Sequence, residues 1–404
     1  MRAESPTATR GPDVPAERPT ATRGPDVRAE SPTATRGPDV RAASDIWPAA
    51  LDPPRAFGPS LSSGILRTQP DDFVVEEDLG FTPAGTGQHV LLKVRKRDAN
   101  TQWVARELSR ICRCRPMDVG FAGLKDRRAV AIQWFTVPRS SQSLEAWSTV
   151  KTPEFEVLEA HAHTRKLPRG ALAGNGFVIR VRDVTVTDQQ LADRLDLIAH
   201  RGVPNYFGPQ RFGRQGANLA RIADGLRSLR MPERGFVLSA ARSLIFNSVL
   251  AERVRDESWD RMEAGDVANL DGRGSVFAVD AVDETLVERC SKLDIHPTGP
   301  MWGRGKPTSQ GRVLGLESRV GAHLPEPTAL VEEAGVEQER RSLRLSVRNL
   351  KWSREPDAVV LRFRLMRGSF ATMVIREIFD AVSADGEPES EAYRRDGAPS
   401  SLTP

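Results

Sequence analysis

Gly120-Phe121-Ala122-Gly123-Leu124-Lys125-Asp126-Arg127-Arg128 is the stretch on which the reading of this chain turns. Val119 and Phe121 end a short strand, and the apolar run Ala131-Ile132-Gln133-Trp134-Phe135-Thr136-Val137 forms the next. Asp126 therefore sits on a glycine-bearing loop between two strands, where a side chain can project into a cleft. Lys125, Arg127 and Arg128 flank it, and their charge and hydrogen bonds are expected to clamp the carboxylate in its ionised form. An ionised, positioned aspartate is a usable nucleophile. A surface turn with solvated charges is the plain alternative for such a tetrapeptide, and the motifs around it weigh against that.

Outward from this loop, strand and helix patterns alternate. Upstream, Ile65 to Thr68 reads as a strand, Pro70 to Asp72 as a turn, and Phe73 to Glu77 as a second strand. A glycine-rich link, Pro83 to Gly87, leads to a strand from His89 to Lys96, with Val90, Leu92 and Val94 on one face and Leu91, Lys93 and Arg95 on the other. Asn100-Thr101 caps a helix running to about Cys112, with Val104, Leu108 and Ile111 turned inward. Downstream, residues 154–182 continue as strands, and Phe177, Ile179 and Val181 alternate with polar neighbours. Thr187 caps a helix through His200 that carries Leu191, Leu195 and Ile198. Glycine and proline then cluster over 202–216, a long helix covers Leu238 to Val254, and 255–345 reads as loop-rich. The strand pattern returns at Val359, Leu361, Phe363 and Leu365, and a helix follows Gly368-Ser369 with Phe370, Met373, Val374 and Ile378 on one face. Strands paired with helices in this order predict an α+β fold around a mixed, mostly antiparallel sheet.

The totals bound the class. With 404 residues the chain can form two domains and a substantial core. A net charge of +4 is too small to identify a nucleic-acid partner by itself, and seven Arg against six acids in residues 1–43 account for part of it. Basic residues crowd at 93–97, 110–115 and 125–128, close to Asp126, and that distribution favours RNA as the partner. Cys112, Cys114 and Cys290 are an odd, sparse set, which argues for a reducing compartment without structural disulfides. Cys112 and Cys114 are read as lying in one helix and facing apart, so no zinc site is expected. His161 and His163 share a strand face, read as solvated. No apolar stretch reaches the ~20 residues of a membrane span, and the polar N-terminus carries no signal-peptide core, so the cytoplasm is expected. Residues 2–40 repeat one thirteen-residue unit three times (RAESPTATRGPDV, PAERPTATRGPDV, RAESPTATRGPDV). The unit has no apolar face to bury against a neighbour, so 1–43 is expected to be disordered, as is a polar tail from about 384.

Several motifs occur in a fixed order around Gly123-Leu124-Lys125-Asp126. They are Phe73-Val74-Val75-Glu76-Glu77, Gly174-Asn175-Gly176-Phe177, the block from Val203 to Gly213 (VPNYFGPQRFG), Leu238 to Arg242 (LSAAR), Gly299 to Gly303 (GPMWG) and Gly368 to Thr372 (GSFAT). Together they resemble the TruD-type tRNA pseudouridine synthases over about residues 60 to 382. The resemblance implies a pseudouridine synthase core built from 60–200 and 346–383, with a more helical α+β TRUD domain, 201–345, inserted between. It implies isomerisation of a tRNA uridine, position thirteen of the D-arm, with tRNA as partner and no cofactor, metal or protein partner.

The resemblance also implies roles for residues. Asp126 matches the family nucleophile, attacking C1′ as the base departs or adding to C6 of the ring. Asn175 matches the substrate-binding asparagine, whose amide suits the imide edge of uracil. Phe73, Phe177 and Phe370 match aromatics around the target base, where a flipped base recovers ~1–3 kcal/mol of stacking. Arg67 stands where the family usually has Lys; it is expected to pair with the Asp126 carboxylate or with an RNA phosphate. In the VPNYFGPQRFG block the aromatics are expected to pin the loop. Two rival readings are a non-catalytic RNA-binding protein or RNA chaperone on the same scaffold, and a glycoside hydrolase pairing Asp126 with Glu76 or Glu77.

Overall fold

The computed structural model describes residues 51–140 and 142–384. The thirteen-residue repeats and the tail from 385 lie outside the described residues. Residues 51–63, ahead of the expected start near Gly64, already belong to the packed body, and Leu51, Ala56 and Phe57 contact buried side chains.

Seven strands come first: β1 (Ser62–Leu66), β2 (Phe73–Asp78), β3 (His89–Arg97), β4 (Gly120–Phe121), β5 (Val130–Pro138), β6 (Phe155–His163) and β7 (Gly174–Arg182). Three helices accompany them, Thr101–Cys112, Leu144–Ser148 and Asp188–Arg201; Asn100 and Thr187 cap the first and last, accepting from Gln102 N and Gln190 N. The middle of the chain adds β8 (Val203–Pro204), β9 (Val267–Leu270), β10 (Val276–Ala278), β11 (Ile295–Met301), β12 (Glu339–Ser342) and β13 (Arg344–Leu345). The long helix there spans Glu233–Arg255, and shorter ones span Glu284–Ser291, Gly311–His323 and Pro325–Glu333. β14 (Arg348–Glu355), β15 (Ala358–Met366), a helix Ala371–Arg376 and β16 (Phe379–Ser383) complete the order.

The large sheet runs β14-β15-β7-β2-β5-β3-β6, with β1 on β7, β16 on β1 and β4 on β5. β2 with β5 and β1 with β16 are parallel, and the other pairs are antiparallel, so the α+β fold with a mixed, mostly antiparallel sheet is as expected. Alternation along β7 and β15 buries Phe177, Ile179, Val181, Leu361 and Phe363 with Leu191, Leu195 and Ile198 of the helix that follows β7. Val90, Leu92 and Val94 pack on Val104 and Leu108 in a second core. Gly202 ends the helix Asp188–Arg201 at φ +73, where a Cβ would lie 2.5 Å from the Leu345 carbonyl oxygen. Only glycine allows the chain to turn there so close to the returning segment.

Four expectations need correction. Residues 255–345 are not loop-rich: they hold the four-stranded sheet β10-β9-β11-β12 and three helices. Their strands are short and proline-containing, as in Ile295–Met301, so period-two alternation is faint. The last helix stops at Arg376, and Ile378 leads into β16, which pairs in parallel with β1 more than 300 residues away in sequence. The helix Thr101–Cys112 ends at Cys112 because Arg113 takes a left-handed φ of 57, so Cys114 lies beyond it; Ile111 is 36% exposed rather than inward. His163 is buried and stacks on Phe81, so the face it shares with His161 is not simply solvated.

Candidate active site

The loop bearing Asp126 is held from below by buried polar groups. Gln133 of β5 donates from Nε2 to the Gly123 carbonyl at 2.6 Å, and its Oε1 accepts from Thr101 Oγ1 at 3.0 Å. Thr101 Oγ1 in turn accepts from the Lys125 amide at 3.1 Å. Lys96 of β3, fully buried, donates from Nζ to the carbonyls of Asp126 and Ala99, both at 2.8 Å. Burial pushes Lys96 down to about 8 despite the opposing pull of the Asp126 carboxylate. Lys125 Nζ reaches Glu77 Oε1 at 2.9 Å, and Glu77 Oε2 accepts from the Trp134 amide at 2.8 Å. Burial raises Glu77 above the ordinary carboxylate range, with Lys125 opposing the rise. A loop tied at four points to a helix and three strands holds its one carboxylate in a defined place.

That carboxylate belongs to Asp126, whose side chain keeps 45% of its surface open. Its Oδ2 accepts from Arg67 Nη2 at 2.7 Å, and the Arg67 side chain is only 10% exposed. Two of the three expected neighbours are corrected: Lys125 turns inward to Glu77 and Arg127 lies 3.6 Å from Asp98, while Arg67, from 59 residues upstream, bonds the carboxylate. Arg67 is placed by its backbone. β1 stops at Leu66, and Arg67 adopts φ 57, a left-handed conformation that costs a non-glycine residue about 1–2 kcal/mol. The same turn lays the guanidinium 4.3 Å from the centroid of the Phe73 ring.

Phe73 and Phe177 follow at once. Their rings meet edge to face at 6.1 Å, and Phe177 stacks on Phe363 at 5.5 Å. Both are at most 8% exposed, so the core shapes them as much as the cleft does. Asn175 lies two residues before Phe177 on the same face of β7, opposite Glu77 of β2 and Leu365 of β15. Its Oδ1 is buried without a hydrogen-bond partner, an unusual state for a buried amide. Arg67, Asp126, Phe73 and Phe177 are thus one contiguous group, with Asn175 on the next rung. Phe370 stands apart from them, partly exposed, with its ring 6.5 Å from Phe207 and packed against the core of the long helix. In the loop that precedes that helix, Tyr206, Phe207 and Phe212 are buried as pins, and Arg211 donates to Ser239 Oγ at 3.1 Å.

Lys96, Thr101 and Gln133 are the supporting residues that pattern reading missed. A signal existed for Lys96: it falls in the same alternate series as Val90, Leu92 and Val94, so it had to enter the apolar face. Among the described residues no cluster of His, Cys, Asp and Glu can hold a metal ion, and no helix is long and apolar enough to cross a membrane.

Comparison with known proteins places the chain in a family. The chain matches the family described as tRNA pseudouridine synthase D (TruD) over residues 60–226 and 217–378. It is 43% identical over 337 residues to the tRNA pseudouridine synthase D of Nitrosococcus oceani, covering 82% of this chain and 94% of that one. It is 41% identical over 354 residues to the protein of the same name from Xanthomonas axonopodis pv. citri, covering 82% and 95%. The fold is also that of a TruD-named crystal structure from Methanosarcina mazei, with a TM-score of 0.66 at 21% identity over 83% of this chain and 98% of that one. With sequence, fold and motif order in agreement, this chain belongs to the TruD family of tRNA pseudouridine synthases.

Proposed function

We propose that this protein isomerises a uridine of tRNA, position thirteen in the D-arm, to pseudouridine, with Asp126 as nucleophile. The reaction breaks the N1–C1′ bond, turns the base and joins C5 to C1′. Attack by Asp126 on C1′ as the base departs, or addition to C6 of the ring, both require an ionised carboxylate held still at an accessible point. The observation that carries the reading is the Asp126 carboxylate itself, 45% open and bonded to a nearly buried Arg67 at 2.7 Å. Asn175 Oδ1, buried without a partner, supports a role for that amide against the uracil edge. Phe73 and Phe177 supply the apolar wall of the base site, and Phe370, packed apart from them against Phe207, is assigned to the same site by the family resemblance alone.

In this reading 60–200 and 346–383 form the catalytic core, 201–345 with its own sheet is the inserted TRUD domain, and tRNA lies across both. The chemistry asks for no cofactor or metal, and the cytoplasm is the compartment that supplies the substrate. The glycoside hydrolase reading is weakened because Glu77 is buried on Lys125 and Glu76 is bonded to Lys93 at 2.9 Å. A purely RNA-binding role leaves the ordered, accessible Asp126 without a task.

Incubation with unmodified tRNA followed by pseudouridine mapping tests the proposal. Native protein is expected to yield one modified uridine and Asp126→Asn none, with RNA affinity retained. Tight RNA binding without product from the native protein would replace it with the binding role.

A further inference from the structure

A second recess lies beside the candidate active site, outside everything assigned so far. It encloses about 340 Å³ and is lined by Phe81, His163, Arg165, Lys166, Leu172 and Arg367, among others. We propose that it holds a second nucleotide of the RNA substrate, with its phosphate on the three cations and its base on Phe81. The proposal rests on the RNA-modifying function above.

Charge is the first support. Arg165, Lys166 and Arg367 are exposed, and none of them forms an ion pair among the described residues. Lys166 donates to the Met117 carbonyl and Arg367 to the Gly170 carbonyl at 3.1 Å, contacts that orient the side chains without neutralising them. Nearby acids are already engaged: Asp118 is bonded to Arg115 at 2.9 and 3.0 Å, and Asp78 to Arg364. Three cationic residues that line one recess while the neighbouring acids are held elsewhere favour an anion there.

Phe81 is the second support. It is 41% exposed, an uncommon state for so large an apolar ring, and stacks on buried His163 with centroids 5.6 Å apart and planes 21° apart. One face of a stacked pair is backed by protein and the ring remains open to a base, the arrangement that single-stranded nucleic acid uses. An acidic peptide would match the charges but leave this ring without a purpose.

Location is the third. Ala173, in the recess wall, lies two residues before Asn175, roughly 7 Å along an extended chain. Leu79, also in the wall, follows Glu77 by two residues. Gly170 donates its amide to the Ala122 carbonyl at 2.7 Å, tying the recess to the loop that carries Asp126. A strand whose uridine rests at Asn175 would place a neighbouring nucleotide at this opening.

The side chains concerned are at the surface, so their removal leaves the fold intact, which an unchanged circular-dichroism melt verifies. Arg165→Ala/Lys166→Ala/Arg367→Ala is expected to raise KM for tRNA about tenfold or more and to lower the salt slope of RNA binding by roughly 0.7, the value for one phosphate contact. Phe81→Ala is expected to raise KM about tenfold with the slope unchanged, since stacking releases no counterions. In both variants kcat at saturating tRNA stays at the native value. Native KM and salt slope in the triple variant would overturn the proposal, as would a loss confined to kcat. Saturable binding of free UMP that the variants abolish while RNA affinity stays native would make this a free-nucleotide site, and also overturn it. If native protein makes no pseudouridine but the RNA affinities shift as stated, the recess stands and the proposed activity falls.

Discussion

At the scale of single residues, the pairing of Arg67 with Asp126 organises the site. Arg67 brings a positive charge to Asp126 through a planar group that rests on Phe73 while bonding one carboxylate oxygen. Removing it frees Asp126 to rotate and strips one charge-assisted hydrogen bond, worth about 1.5–3 kcal/mol. Arg67→Ala is therefore expected to lower kcat/KM about 10–100-fold in the pseudouridine assay. Arg67→Lys, which restores the charge without the fork, should recover to within about tenfold of native. Native kinetics in Arg67→Ala would show that the pair does not position the proposed nucleophile.

At the scale of elements, the loop is a bridge between β3, β5, β2 and the start of the helix Thr101–Cys112. Lys96 is the tie whose cost can be measured. Its folded pKa of about 8 lies below its unfolded value, so between about pH 8 and 10.5 the unfolded chain binds the extra proton. Stability should therefore rise with pH through that window as the buried ammonium is neutralised, and the gain is lost as pH falls through 8. Lys96→Met removes this dependence. In urea unfolding, the stability of native protein relative to Lys96→Met should improve by about 1–2 kcal/mol from pH 7 to 9.5. A difference that stays flat would mean Lys96 is solvated. Because Lys96 also holds the Asp126 carbonyl, the same variant should lose activity at pH 7 even where it is folded.

Across the whole molecule, segments far apart in sequence are joined by buried arginines that serve backbone carbonyls. Arg344, on β13, donates to the carbonyls of Asp260, Cys290 and Ile295 at 3.0, 2.7 and 2.9 Å, and to His296 Nδ1 at 2.9 Å. β13 pairs with β8, the strand that enters the middle segment, so the Arg344 side chain ties the place where that segment begins and ends to its interior. Arg344→Met would leave several buried acceptors without donors. A loss of roughly 3 kcal/mol or more, read from the urea midpoint, is expected. A change below about 1 kcal/mol would mean that water replaces the guanidinium.

Local sequence was sufficient for much of this. Alternation along 89–96, 177–181 and 359–365 specified strands and their buried faces, and Asn100 and Thr187 marked helix starts, because periodicity and capping depend on neighbours within a few residues. The Gly123–Asp126 motif located the candidate nucleophile for the same reason. What only the tertiary structure decided depends on chain segments meeting. The three adjacent cations pointed to a clamp of neighbours, yet Lys125 is drawn to buried Glu77, and Arg67 reaches Asp126 through a left-handed turn that no local pattern announces. β16 exists because β1 offers it an edge, and the middle sheet forms from strands too short to show a period. Placing charges and pairing edges are long-range events, settled by burial and hydrogen-bond satisfaction over the folded whole.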